Sequence, residues 1–263
     1  MRIRPKKRLG QNFLVDANIR NKIVDNIDLN AESIVLEIGA GKGELTRLLA
    51  KKAKHVYALE IDKRLCLLLR ETLKDFPNVT LINEDVLEFD IPKLARSIGT
   101  RFTVVGNIPY YISSPIIERL INSRQSILQA LLTVQKEFAQ RVVAKPGSKI
   151  YGSFSCFVQY YMHSTICFDI KKGSFHPVPK VDSSFLQLEV RIEPPVRVED
   201  ESVLFKVIRA AFNKRRKTLR NSLFGIIAAK DLESFLADSG LNSNIRPEDL
   251  NLQDFANLAH FCK

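Results

Sequence analysis

The 263-residue sequence predicts an α/β fold, an open and largely parallel sheet wound on both faces, followed by a small helical unit. Three observations carry this. From residue 34 to about 135, continuous apolar runs alternate with segments of helical periodicity, the pattern of a buried parallel sheet covered by helices. A glycine-rich turn, "LEIGAGKGELT", joins the first apolar run to the first helical segment. After "EPPVRVED" (193–200), whose two prolines mark a linker, the pattern becomes wholly helical.

Taken in order, the expected strands are "IVLEI" (34–38), "HVYALEI" (55–61), "VTLIN" (79–83), "FTVVG" (102–106) and "ILQALLTVQ" (127–135). Between them "ELTRLLAKKA", "KRLCLLLRETLKDF" and "PIIERLINS" read as helices. "STICFDIKK" (164–172) and "SSFLQLEVRIE" (183–193) add two strands, expected to be antiparallel. "SVLFKVIRAAF", "RRKTLRNSLFGI", "DLESFLADSG" and "LQDFANLAHFC" are the helices of the second unit. The expected domains are therefore 1–195 and 196–263. In an open sheet of this kind, ligands sit beyond the carboxyl ends of the strands.

Composition narrows the partners. Forty Lys and Arg against 29 Asp and Glu give a net charge of +11. That balance favours a polyanion, nucleic acid before membrane. The four cysteines (Cys66, Cys156, Cys167, Cys262) show no C-x-x-C spacing, which argues against a zinc site or a disulfide framework and for reduced thiols. "MRIRPKKR" is basic, but no continuous apolar stretch follows it and none elsewhere is long enough to span a bilayer. The expectation is a cytoplasmic protein.

The strand ends carry the chemistry. Gly39, Gly41 and Gly43 permit a tight turn and close approach of a ligand, but the G-x-G-x-G spacing misses the dinucleotide fingerprint. Acidic Glu44 makes a pyrophosphate at the following helix less welcome. Glu60 ends the second strand about twenty residues beyond Gly39, where an acid accepts both hydroxyls of a ribose. Asp85, after the third strand, can accept from an exocyclic amine, although taken alone it reads as a helix N-cap sooner than as a ligand. Together the three strand ends describe a pocket for a nucleoside without phosphate.

The fourth strand runs into "VVGNIPYYISSP" (104–115), an amide, a proline and two tyrosines where a plain turn would use Gly, Asn, Asp or Ser. With "NIPYY" the chain resembles S-adenosylmethionine-dependent methyltransferases that act on an exocyclic amino group. "RLGQNFLVD" (8–16), "VQKEFAQR", "YGSFSCFVQYY" and "SFHPVPKVDSSF" (174–185) narrow the resemblance. It is to the ribosomal RNA adenine N6-dimethyltransferases of the small subunit, the kasugamycin-resistance family. The motifs span nearly the whole chain in the family's order. Ser153, Phe154 and Cys156 depart slightly from the family pattern, away from the expected pocket.

The resemblance implies a Rossmann-like methyltransferase sheet with a small C-terminal α-helical domain. It places S-adenosylmethionine against Asn12, Leu14, Gly39, Glu60, Asp85 and Asn107, and the target adenine between Tyr110 and Phe175. The lone pair of adenine N6 is delocalised into the ring. Carbonyl oxygens of Asn107 and of the main chain near Ile108–Pro109 would each accept one N6 hydrogen and turn that lone pair toward the methyl. Pro109 keeps this carbonyl rigid, and Tyr110 offers a stacking face to a base taken out of its stack. No tuned general base is needed, and His176 reads as structural or RNA-facing.

"AFNKRRKTLRNSL" gathers Lys214, Arg215, Arg216, Lys217 and Arg220 in a stretch without acids, a candidate phosphate-binding surface. A solvated helix face is the alternative. "RPKKR" (4–8) is a second candidate. The implied partner is small-subunit ribosomal RNA or a pre-30S-type particle, with no membrane, no metal and a monomeric enzyme. Three rivals are a large-subunit adenine methyltransferase of the macrolide-resistance type, a non-catalytic assembly factor that kept the fold, and a DNA adenine methyltransferase, which would be expected to carry Asp-Pro-Pro-Tyr in place of Asn-Ile-Pro-Tyr.

Overall fold

A computed structural model describes residues 4–6, 9–214 and 217–262 of the chain. In chain order its first elements are β1 (Phe13–Leu14), α1 (Ala17–Asp25), β2 (Ile34–Ile38), α2 (Glu44–Ala50), β3 (His55–Leu59) and α3 (Lys63–Thr72). β4 (Val79–Ile82), α4 (Ile91–Ile98), β5 (Phe102–Asn107), α5 (Ser113–Asn122), β6 (Ile127–Gln135) and α6 (Lys136–Val142) follow. Next come α7 (Ser153–Tyr161), β7 (Met162–Ile170), β8 (Phe175–His176) and β9 (Ser183–Val190). The chain ends with α8 (Glu201–Phe212), α9 (Leu219–Ser222), α10 (Ala229–Asp238) and α11 (Leu252–Ala259).

Seven strands form one sheet in the order β4-β3-β2-β5-β6-β9-β7. From β4 to β6 all neighbours are parallel, and β9 closes against β6 in antiparallel register. This is the α/β architecture expected from the alternation of apolar runs and helices. β2 sits where the strand order reverses, with β3 and β4 on one side and β5 and β6 on the other. Its carboxyl end, beside those of β3 and β5, is the switch point at which such sheets bind ligands. Val35, Leu36, Val56, Ala58, Val104 and Val105 are all buried, which is why these runs are apolar on both faces.

Local signals set the helix starts. Asp16, Asp62 and Asp90 each cap a helix by accepting backbone N–H groups of its first turn. α3 buries Leu65, Cys66 and Leu69 on one stripe. Cys66 is thus the small buried side chain expected there. β1 and β8 form a two-stranded antiparallel ladder, Phe13 opposite His176 and Leu14 opposite Phe175, too short to announce itself in the sequence.

The chain divides into two compact units, one of residues up to Ala139 with His163–Val190, the other of Gln140–Met162 with Arg191 onward. A single boundary at 195 does not describe this division. α7 belongs with the C-terminal helices because Tyr151, Cys156 and Tyr160 are buried in one apolar cluster with Leu204, Val207, Leu219, Phe235 and Phe255. The expected helix over "RRKTLRNSLFGI" is not continuous among the described residues. Only Leu219–Ser222 is helical. Gly225 has φ of 82° and Phe224 bridges to Ile227, a turn that ends the helix.

Candidate active site

The carboxyl ends of β2, β3 and β5 open into a cavity of about 260 Å³. Asn12, Gly39, Glu60, Asp85, Asn107 and Tyr110 all line it, so six of the residues singled out from sequence meet in one place. The segment Leu9–Phe13 lines it from outside the sheet.

Glu60 follows β3 directly and is only 5% exposed. Its Oε2 accepts the N–H of Gly41 at 2.9 Å, and its Oε1 accepts the N–H of Asp62 at 2.9 Å. Gly41 holds φ of 60°, a left-handed conformation that favours glycine, and a Cβ there would only touch the Phe13 ring at 3.4 Å. The glycine loop therefore folds back to carry the carboxylate. Burial holds the Glu60 pKa above the usual carboxylate value, and the N–H groups of Asp62 and Gly41 offset only part of that rise. A carboxylate has roughly four lone-pair sites, so these two bonds leave capacity for a ligand's hydroxyls.

Asp85 is half-buried, and its Oδ1 accepts the N–H of Leu87 at 2.9 Å. It caps a turn and lines the cavity at once, so the two sequence readings are compatible. Ile61, exposed among large apolar residues, adds an apolar wall.

Asn107 is the last residue of β5. Its Nδ2 donates to the carbonyl oxygen of Asn12 at 2.8 Å. A carbonyl only accepts, so this bond fixes which end of the amide is nitrogen and turns Oδ1 the other way. Gly106 must precede it, since a Cβ there would lie 2.9 Å from the Ile38 carbonyl oxygen. Beyond it the carbonyl of Pro109 accepts the N–H of Ile112 at 3.2 Å. The carbonyl of Ile108 receives no such bond among the described residues. Tyr110 is held by a 2.6 Å hydrogen bond between its hydroxyl and Ser183 Oγ, and burial raises its pKa.

Leu14 and Phe175 are placed differently. Leu14 is buried and lines a second, smaller cavity with Glu37, Gly39 and Asn107. Phe175 is 1% exposed, packed in an apolar cluster with Leu14, Val105 and Phe185, and does not line the main cavity. Tyr110 alone of the two rings reaches the cavity, because the β1–β8 ladder draws Phe175 into the core.

Glu37, inside "VLEIG", passed unremarked in the sequence. It is 1% exposed, its Oε2 has no hydrogen-bond partner, and burial pushes its pKa up to about 7, with the charge of Glu60 adding to the rise. An acid inside an apolar strand was the available signal. Ser183 was visible only as part of "KVDSSF".

In the C-terminal unit, Lys214 Nζ reaches the Asn221 carbonyl at 3.4 Å, Arg220 pairs with Glu233 at 2.7 Å, and Lys217 is exposed. Arg215 and Arg216 lie outside the described residues. Among the described residues no cluster of His, Cys, Asp and Glu could hold a metal ion, and no helix is long and apolar enough to cross a membrane.

A family model described as ribosomal RNA adenine dimethylase matches residues 2–263. The chain is 44% identical over 266 aligned residues to ribosomal RNA small subunit methyltransferase A of Streptococcus pneumoniae (strain 70585), covering 98% of this chain and 92% of that one. Among solved structures it is similar to the 23S rRNA methyltransferase ErmE, with a TM-score of 0.77 and 27% identity over 95% of this chain and 99% of that one. It is equally similar to a dimethyladenosine transferase from Plasmodium falciparum, with a TM-score of 0.77 and 26% identity over 94% and 95%.

Proposed function

The chain belongs to the ribosomal RNA adenine dimethylase family, and from that premise we propose how its strand-end pocket works. The enzyme dimethylates adenines of small-subunit ribosomal RNA at N6. The 44% identity to a small-subunit enzyme across nearly the whole chain, against 27% to a 23S enzyme, favours this substrate over the large subunit. A non-catalytic assembly factor would have no need of a complete pocket.

S-adenosylmethionine as the methyl donor fits the residues present. The main lining offers the acceptors of Glu60, Asp85 and Asn107 among apolar walls, and the smaller cavity that shares Gly39 and Asn107 with it holds the buried carboxyl of Glu37, which suits a ligand with hydroxyls, an amine and positive charges but no phosphate. When bound, the cofactor supplies an electrophilic methyl on a positively charged sulfur. In this reading Glu60 accepts the ribose hydroxyls and Asp85 Oδ2 accepts the adenine amine. Gly39, Asn12 and Leu14 close around the amino-acid end, near Glu37.

The observation that carries the mechanism is the anchored amide of Asn107. In the first transfer its Oδ1 and the unengaged carbonyl of Ile108 accept the two hydrogens of the target N6, and in the second one of them accepts the single hydrogen that remains. Both are fixed before the substrate arrives, so they stabilise developing positive charge on nitrogen without reorganising. With the cofactor bound, Asn107 Oδ1 and the Ile108 carbonyl would hold N6 in line with the methyl that the cofactor supplies, and the extra proton on N6 would leave to water. Tyr110, pinned by Ser183, stacks on the flipped base. Phe175 supports the site from beneath, through Leu14. The basic residues Lys214, Arg215, Arg216, Lys217 and Arg220 contribute phosphate contacts. A pre-30S-type particle as substrate, a monomeric enzyme and a cytoplasmic location complete the proposal on the family resemblance alone.

The test is to incubate the protein with methyl-labelled cofactor and unmethylated small or large ribosomal subunits, then digest the RNA to nucleosides. Label in N6,N6-dimethyladenosine from the small subunit is expected. Label confined to large-subunit RNA, or none, would overturn the assignment.

A further inference from the structure

The segment that lines the cavity from outside the sheet is tied to one buried carboxylate. Asp62, whose side chain is 0% exposed, lies two residues beyond Glu60 and donates its own N–H to it. Lys6 Nζ contacts Asp62 Oδ1 at 3.1 Å, and Gln11 Nε2 donates to Oδ2 at 3.3 Å. The two strap residues are themselves joined, since the N–H of Lys6 donates to Gln11 Oε1 at 2.8 Å. Farther along, Asn12 is bonded to Asn107 and Phe13 enters the ladder with β8.

Asp62 does not need Lys6 for its own stability. Arg64 already supplies three donors, its backbone N–H, Nε and Nη2, the last at 2.7 Å. These donors, led by the Arg64 side chain, hold the Asp62 carboxyl well below the usual range. A second cation on a satisfied carboxylate adds little to the fold. What it does is fasten the chain at Lys6, close to the Arg4 carbonyl that Arg64 Nη2 reaches at 3.5 Å, to the helix cap beside Glu60.

We infer that Lys6 and Asp62 form a latch that positions the strap Leu9–Phe13 over the cofactor, so that this pair slows cofactor release without touching the ligand. The inference rests on the cofactor reading given above. Both are positioning residues, acting through Gln11 and Asn12 on one side and Glu60 on the other.

Lys6→Met keeps the aliphatic stem and removes the charge. The release rate of S-adenosylmethionine, measured by stopped-flow displacement with S-adenosylhomocysteine, should rise roughly three- to tenfold, the scale of one half-exposed charge-assisted bond. Lys6→Arg should restore it. Release from the wild type should quicken with salt, and release from Lys6→Met should not. The thermal midpoint of the cofactor-free protein should match in both, which a merely structural role would not give. Wild type that binds while Lys6→Met releases at the wild-type rate overturns the latch alone. Wild type that fails to bind overturns the cofactor reading and the latch together.

Discussion

At the strand ends, backbone geometry holds each functional group. Glu60 is gripped by the amides of Gly41 and Asp62, Asp85 by that of Leu87, and Asn107 by the carbonyl of Asn12. Among the described residues of the basic stretch in the C-terminal unit, the basic side chains lie at the surface, and Lys214 reaches the Asn221 carbonyl only at 3.4 Å. Lys217 is exposed, and Arg220 meets Glu233 where both are more than half exposed. Such an exposed pair is worth about 0–1 kcal/mol. In the proposed function the first region works by direction and the second by charge. Moving one atom should ruin the first, whereas the second should lose function in proportion to the charges removed.

Asn107→Ala is the sharpest way to break this contrast. Losing one preorganised acceptor should lower the transfer step on the order of 10²-fold or more. Single-turnover transfer at saturating cofactor reads it without interference from weaker binding.

Glu37→Gln tests the cost of the buried carboxyl. Its pKa rises from 4.5 to about 7 in the fold, so its protonated form is favoured there. Stability from this group is intact below about 4.5 and falls as pH rises to about 7. The Gln variant should match wild type at pH 4 and exceed it at pH 8 by up to about 3 kcal/mol, at about 1.4 kcal/mol per pKa unit. Denaturant unfolding of the cofactor-free protein at the two pH values gives the answer, and equal stabilities at pH 8 would show the carboxyl to be solvated.

Glu60→Ala should weaken cofactor binding by roughly 1–3 kcal/mol, the scale of lost charge-assisted hydrogen bonds. Calorimetry decides, and an unchanged dissociation constant removes Glu60 from the pocket.

The smallest change is expected in the basic stretch. Replacing Arg215, Arg216 and Lys217 together by Gln should reduce the slope of log K against log salt for ribosomal RNA by about 2–3. Cofactor affinity should be unaltered. An unchanged slope returns these residues to ordinary surface charge.

The contrast also explains what could be read from sequence. Strands buried on both faces leave continuous apolar runs, so the sheet from Ile34 to Gln135 was legible to within a few residues. Glu60 and Asn107 stood out because polar groups at the ends of such strands are unusual. Phe175 did not yield to the same logic, because its burial depends on a two-residue ladder with Leu14, more than 150 positions earlier. Asp62 was not singled out in the sequence, since its partners Lys6 and Gln11 lie far away from it along the chain. Nor did charge density reveal that, among the described residues of this stretch, only Leu219–Ser222 is helical, with the turn at Gly225 after it.

The most direct measurement is single-turnover methyl transfer to unmethylated small subunits, followed against subunit concentration for wild type, Asn107→Ala and the triple Gln variant. Asn107→Ala should lower the plateau rate on the order of 10²-fold and leave the half-saturating concentration in place. The triple variant should raise the half-saturating concentration and keep the wild-type plateau. A near-normal plateau for Asn107→Ala at saturating cofactor would contradict the account, because its anchored amide would then not orient the nitrogen that receives the methyl.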